Sequence, residues 1–171
     1  MSKLIIVSNR LPLNITIENN DLLISSSSGG LATGMSSVHS QGGSLWIGWS
    51  GIDEESLDVN VKKKIHAELI NENCASVTLS QNDVEDFYYG LSNKTLWPLF
   101  HYFTEFSTFD NKQWESYKKV NQKFADVVIS NLSDGDRVWI HDYQLMLLPS
   151  MIRKIKPNVT IGFFLHIPFP S

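Results

Sequence analysis

The sequence predicts an α/β fold in which a parallel sheet is flanked by helices. Three apolar runs, Lys3-Leu4-Ile5-Ile6-Val7-Ser8, Val138-Trp139-Ile140 and Ile161-Gly162-Phe163-Phe164-Leu165, show no polar alternation, which is the pattern of strands covered on both faces. Between the last two lies 144–156, where Leu145, Leu148, Ile152 and Ile155 recur at helical spacing. Strand, helix and strand therefore read as one crossover unit. All three strands also end in polar groups, at Asn9-Arg10, His141-Asp142-Tyr143 and His166. Ligands of parallel sheets sit beyond the carboxyl ends of the strands, so these residues fall where a site is expected.

The intervening elements follow in chain order. Leu13 to Ile24 alternates apolar and polar residues about Asn19-Asn20-Asp21, which suggests a hairpin inserted after the first strand, read as an edge ornament. Ser25 to Ser28 leads into Gly29-Gly30-Leu31-Ala32-Thr33-Gly34 and a short helix, and strand character resumes at Leu45-Trp46-Ile47-Gly48-Trp49. Lys62-Lys63-Lys64 sits among Asp53, Glu54, Glu55, Asp58 and Glu68, so a solvated helix face is a better reading than a phosphate patch. Ser80 with Asp83 forms a capping box for a helix through Tyr88. Asp110 with Gln113 resembles a second cap, opening a long helix whose inward stripe is Trp114, Tyr117, Val120, Phe124 and Val127 or Val128. The stretch 87–102 is rich in Tyr, Trp, Phe and His. Most of it is expected in the core, although such side chains also suit the faces and hydroxyls of a sugar.

Composition narrows the class. With 171 residues and 42% hydrophobic content the chain can bury one ordinary core, and a net charge of -4 exerts no pull on nucleic acid. A single cysteine, Cys74, excludes an internal disulfide framework and fits a reducing compartment. The N-terminus has no apolar stretch long enough for a signal peptide or a membrane span. A soluble, cytoplasmic protein is the expectation. His39, His66, His101, His141 and His166 show no HxxxH or HxH spacing, so neither a metal nor another cofactor is expected.

Each candidate site residue has a chemical reading and an ordinary one. Glycines at a helix entrance, Gly29 and Gly30, let backbone N–H groups approach a diphosphate; a flexible turn after serines is the alternative. The segment is neither GxGxxG nor a Walker loop, which weakens the nicotinamide and P-loop readings. Arg10 offers a planar fork for a phosphate or carboxylate, or an ordinary ion pair. Asp142 can accept from sugar hydroxyls and can equally cap the helix beginning near Gln144. His166 can donate to a hydroxyl or to developing charge, or be a core histidine satisfied by backbone.

Taken together, the motifs resemble those of the trehalose-phosphate synthases, glycosyltransferases that move glucose from UDP-glucose to glucose 6-phosphate. The match is colinear through Val7-Ser8-Asn9-Arg10-Leu11-Pro12, Ser28-Gly29-Gly30-Leu31, Gly48-Trp49-Ser50-Gly51, Leu91-Ser92-Asn93 with Leu96-Trp97-Pro98, Trp139-Ile140-His141-Asp142-Tyr143 and 162–170. The resemblance implies a Rossmann-like domain, the N-terminal, acceptor-side half of a two-domain GT-B glycosyltransferase, spanning 1–171 and incomplete. It further implies that Arg10, Tyr88, Trp97 and Asp142 hold glucose 6-phosphate, with Arg10 on the phosphate and Asp142 on the sugar hydroxyls. Trp49 helps to shape that pocket. Gly29 and Gly30 correspond to the turn facing the donor diphosphate, and His166 to the histidine on the transferred glucose.

In the family the anomeric configuration is retained, by a front-face displacement that needs no carboxylate nucleophile. This agrees with the lack of an obvious carboxylate pair of the glycosidase kind. Because the sequence stops at Ser171, before the basic residues and the nucleotide-binding domain of the family, a fragment with negligible transferase activity of its own is expected. Tyr89 and Gln144 depart from the Asn and His found in many relatives. The expected partners are glucose 6-phosphate, UDP-glucose (mostly through the absent domain) and copies of the chain in a homo-oligomer, with no nucleic acid or membrane. Two alternatives share these residues: a non-catalytic sugar-phosphate sensor or regulatory subunit, and a pseudo-glycosyltransferase with another acceptor.

Overall fold

The computed structural model describes residues 2–18, 21–40 and 42–170. In chain order, β1 (Leu4–Arg10) is followed by a hairpin of β2 (Leu13–Glu18) and β3 (Asp21–Ser26), then α1 (Gly30–Ser40), β4 (Ser44–Trp49), α2 (Val59–Asn71) and β5 (Cys74–Ser76). A helical rod of α3 (Gln81–Asp83), a π-helical segment Val84–Leu96 and α4 (Trp97–Phe100) comes next, then α5 (Asn111–Asn131), β6 (Arg137–His141), α6 (Leu148–Ile155) and β7 (Thr160–Phe164). Five strands form one sheet in the order β5-β4-β1-β6-β7, and every pairing is parallel. The expected Rossmann-like arrangement is therefore present.

Alternate residues of a strand face opposite sides of the sheet, so β1 must be apolar throughout to be covered twice. Ile5 and Val7 pack with Ile47, Val138 and Ile140 against Tyr117, Val120, Phe124 and Val128 of α5 and Leu148 and Ile152 of α6. Ile6 and Trp46 face the other way and meet Met35 of α1 and Ile65 and Leu69 of α2. The hairpin completes that second layer through Leu13 and Ile15, both buried. It is thus part of the core and not the edge ornament its pattern suggested, although it forms a separate two-stranded sheet. Alternation reports one apolar face, not how much that face buries. Asn19 and Asn20 of the expected turn lie outside the described residues.

Other local expectations are met or shifted for identifiable reasons. The capping box at Ser80 and Asp83 forms, with reciprocal bonds of 3.2 Å. The helix it starts continues beyond Tyr88 to Phe100, because the π-helical segment carries it on. Asp110 caps α5 by accepting from Lys112 N at 2.7 Å, whereas the Gln113 side chain lies against Gly90. Trp114 is 40% exposed, so the inward stripe effectively begins at Tyr117. Asp83 is buried and bound by Lys119 (2.9 Å) and Lys123 (2.7 Å), which clamps the rod to α5.

After β6 the chain makes a 3₁₀ turn, Tyr143–Leu145, before α6, whose start carries Pro149. Leu145 remains buried while Ile155 is 61% exposed, so the expected four-residue stripe loses its last member. The apolar run of β7 predicts cover on both faces, yet Phe163 and Phe164 are exposed. It pairs with β6 alone, and an apolar run does not distinguish a central strand from an edge one. No helix among the described residues is long and apolar enough to cross a membrane.

Candidate functional site

From β1 the chain moves outward through β4 and β5, then returns to the other side of β1 for β6 and β7. This reversal makes the carboxyl ends of β1 and β6 the switch point of the sheet, where a crevice opens. Both ends are locally irregular. Val7 pairs with Ile47 but Arg10 with Trp49, so β1 carries an extra residue at its end. Gly48 permits this close crossing, because a Cβ there would lie 2.8 Å from the backbone of Arg10 and Leu11. Arg10 is thereby turned onto the Trp49 ring, 4.8 Å from its centroid. Trp49 is itself held by a bond from Nε1 to Ile52 O of 3.1 Å. On its other side the guanidinium covers Gly51 (φ +92°), where any Cβ would overlap it.

At the end of β6, Asp142 is a non-glycine residue with φ +76°, a strained backbone that persists only when its surroundings hold it. Its N–H donates to Phe164 O (2.8 Å), and its Oδ1 accepts from Tyr143 N (3.0 Å) and His166 N (3.2 Å). The cap role and a site position thus fall on one carboxylate. Tyr143 donates to Asn93 Oδ1 at 3.0 Å. Its hydroxyl is pushed up to about 12, first by burial and then by the neighbouring Asp142 charge. His141 Nδ1 lies 3.0 Å from His166 Nε2. Burial, and secondly the nearby His166, lower His141 to about 4, so it stays neutral near pH 7.

Two adjoining cavities open here. One, of about 230 Å³, is lined by Asn9, Arg10, Gly29, Gly30, Tyr88 and Asp142 among others. The second, of about 300 Å³, is lined by Gly30, Gly34, Trp139, His141, Phe164 and His166 among others. Gly30, Leu31 and His141 belong to both walls. α1 opens at Gly30, where a Cβ would meet nothing within 4 Å. Its first N–H groups stand at a helix N-terminus, which favours an anion. A roomier cavity of about 450 Å³ lies near 132–136 and 156–160. Its buried carboxylate, Asp136, already accepts from Lys3 N and Ser133 N.

The fold therefore gathers Arg10, Gly29, Gly30, Tyr88 and Asp142 around one cavity and places His166 on the next. Trp49 stands behind Arg10 rather than in the wall. Trp97, at the start of α4, is exposed and stacked on His101 with centroids 4.1 Å apart, outside both linings. Three residues escaped assignment from sequence. Gly51 backs the guanidinium, His141 sits between the cavities, and Asn9 presents a buried Oδ1 without a partner. Asn9 and His141 stand among the polar strand ends and Gly51 closes the Gly48-Trp49-Ser50-Gly51 motif, but nothing in residue order gives any of the three a role. No group of three His, Cys, Asp or Glu side chains among the described residues could hold a metal ion.

Residues 2–171 match the family model of glycosyltransferase family 20. The chain is 44% identical over 177 residues to a bifunctional trehalose-6-phosphate synthase/phosphatase from Thermoproteus tenax, covering 98% of this chain and 23% of the relative. It is 43% identical over 176 residues to an alpha,alpha-trehalose-phosphate synthase [UDP-forming] from Emericella nidulans, covering 99% and 34%. Among solved structures, the alpha,alpha-trehalose-phosphate synthase (UDP-forming) of Burkholderia vietnamiensis superposes with a TM-score of 0.76 at 34% identity, covering 100% of this chain and 34% of that one. A Burkholderia xenovorans synthase in complex with glucose-6-phosphate gives 0.73 at 31% identity, with 99% and 34% covered. An E. coli structure bound with UDP-2-fluoro glucose gives 0.74 at 35% identity, again covering 99% and 34%. The chain thus spans only 23% to 34% of the length of these two curated relatives. A family match over nearly every residue, on a sheet whose switch point gathers these side chains, means that the chain belongs to glycosyltransferase family 20.

Proposed function

We propose that residues 1–171 are the acceptor-side domain of a retaining glycosyltransferase that transfers glucose from UDP-glucose to glucose 6-phosphate, giving trehalose 6-phosphate and UDP. The observation that carries this reading is the convergence of Arg10 and Asp142 on one cavity at the switch point of the sheet. Structures similar to this one hold glucose-6-phosphate or UDP-2-fluoro glucose, which supports both substrates. Arg10, pinned on Trp49, binds the acceptor phosphate as a fork of donors. Asp142 accepts from sugar hydroxyls, while Tyr88, on the same cavity wall, offers aromatic surface to the ring. Gly29 and Gly30 place N–H groups towards the donor diphosphate, and His166 contacts the transferred glucose.

In this reaction an acceptor hydroxyl forms a bond to the donor's anomeric carbon as the bond to the diphosphate breaks on the same face. UDP departs with the electron pair, and the hydroxyl proton passes to its leaving phosphate oxygen. The protein's contribution is to hold the two sugars at attack distance, stabilise the departing charge and exclude water. The joint presence of Arg10, Tyr88, Trp97, Asp142 and His166 supports a catalytic parent over a sensor. We place the protein in the cytoplasm, which suits a single buried thiol, Cys74, pushed up to about 12 by burial and then by Glu72.

The test is a titration of the chain with glucose 6-phosphate, with glucose and UDP as controls, following the indole N–H signals of Trp49 and Trp97 by NMR. Selective, saturable shifts that disappear in Arg10→Ala are the expected result. A folded chain whose site signals ignore glucose 6-phosphate would overturn the acceptor assignment.

A further inference from the structure

His141 is the titratable side chain on the shared wall of the two cavities, and the transfer assigns it no role. It is 1% exposed, its ring lies 4.8 Å from that of Trp139, and its Nε2 is buried without a partner. Its other nitrogen, Nδ1, is 3.0 Å from His166 Nε2. Next to it in sequence, Asp142 Oδ1 accepts the backbone N–H of His166 at 3.2 Å. Two consecutive residues at the end of β6 therefore hold the ring and the main chain of His166.

At 3.0 Å one hydrogen lies between the two ring nitrogens, and each neutral imidazole carries a single N–H. If His166 were the donor, His141 would carry its own N–H on Nε2, a buried donor with nothing to receive it. Such orphaned donors are rare in folded proteins, and a bare acceptor is the less costly alternative. His141 therefore donates from Nδ1, His166 accepts on Nε2, and the proton of His166 resides on Nδ1. From this geometry we infer that His141 is a positioning residue that holds His166 in the Nδ1–H tautomer, leaving that N–H as the donor His166 offers to an oxygen of the donor sugar. The lowered pKa of His141 is consistent with this, because a neutral ring keeps the single-hydrogen arrangement at neutral pH. The identity of the oxygen rests on the function proposed above; the tautomer does not.

The experiment is ¹⁵N NMR of the ring nitrogens in the histidine-labelled chain at pH 7.5, without ligand. The expected spectrum for His166 has a pyrrole-type Nδ1 and a pyridine-type Nε2, the reverse of the tautomer favoured by free histidine. In His141→Phe the two nitrogens should exchange character, and His141→Gln, which retains a donor, should restore the wild-type pattern. A His166 that is protonated on Nε2 in the wild type, or indifferent to His141→Phe, overturns the inference. If His141→Phe fails to fold, the wild-type spectrum alone decides. Failure of the glucose 6-phosphate titration would leave this ligand-free result intact, so the two readings fail separately.

Discussion

Replacing Gly51 by alanine isolates the fixing of Arg10 from everything else at the site. Position 51 has φ +92°, where an L-residue costs about 1–2 kcal/mol, and the new Cβ would occupy space that the guanidinium now fills. Arg10 must then leave the Trp49 face, losing a cation–π contact of roughly 0.5–1 kcal/mol. Its freed side chain must also be ordered again on binding, at a cost of up to about 1.5–2 kcal/mol. Glucose 6-phosphate affinity should therefore fall by roughly one order of magnitude and at most about two, since each 1.4 kcal/mol is tenfold. Gly135→Ala is the control. It has nearly the same φ, +86°, but its nearest foreign atom is Ser2 Cβ at 3.8 Å. It should carry the backbone strain without touching Arg10. Calorimetric titration with glucose 6-phosphate, beside urea unfolding of both variants, measures the two effects separately. If folded Gly51→Ala binds as the wild type does, or Gly135→Ala weakens binding equally, the guanidinium is not held in the way described.

Acid should destabilise the protein in two separate windows. The folded pKa of His141 lies below its ordinary 6.5, at about 4, so below pH 6.5 the unfolded chain takes up a proton that the native chain refuses. Stability then falls as pH drops from about 6.5 to 4, by at most about 1.4 kcal/mol per pH unit. For Asp83, burial alone would raise the carboxyl, but bonds from Lys123, Lys119 and Ser80 bring it from 3.8 to about 2. Its contribution, roughly 2 kcal/mol, is present above pH 3.8 and lost on descending to 2. Urea midpoints across this range should show both slopes, and Asp83→Asn should reduce the lower one to the share of Asp136, whose carboxyl burial would raise but bonds from Lys3 N and Ser133 N hold down, while costing about 2–3 kcal/mol at pH 7. An unchanged lower slope in that variant would show that the clamp on α5 is not the cause. Tyr117→Phe removes a hydroxyl that donates to Tyr143 O (2.6 Å) and accepts from Met146 N (3.1 Å). A loss of about 2 kcal/mol is expected, with faster hydrogen exchange at Met146; a protected Met146 amide would show that another group anchors the turn after β6.

Much of the secondary structure was legible in sequence because it depends on near neighbours. The run Ile5-Ile6-Val7 marks a twice-covered strand, Ser80 and Asp83 satisfy each other's backbone within one turn, and Tyr117, Val120, Phe124 and Val128 share one face of α5. The π-helical segment was not legible, since its pattern of apolar residues is close to that of an ordinary helix. Nor was the depth of the hairpin or the exposure of Phe163 and Phe164, because hydrophobicity reports what can be buried and not what arrives to cover it.

The candidate site divides along the same line. By itself the sequence determined the α/β class, the strand ends at which polar groups collect, and six ordered motifs sufficient to place the chain beside the trehalose-phosphate synthases, because these are properties of residue type and order. The return of β6 beside β1, which brings Asp142 to the cavity of Arg10 across more than 130 positions, emerges only in the packed sheet. The same packing places Arg10 between Trp49 and Gly51, leaves Trp97 outside the cavity linings, and brings His141 to His166 at 3.0 Å. The physical reason is that strand order and register are settled by how whole faces pack. A contact between side chains on different strands exists only after that packing is complete.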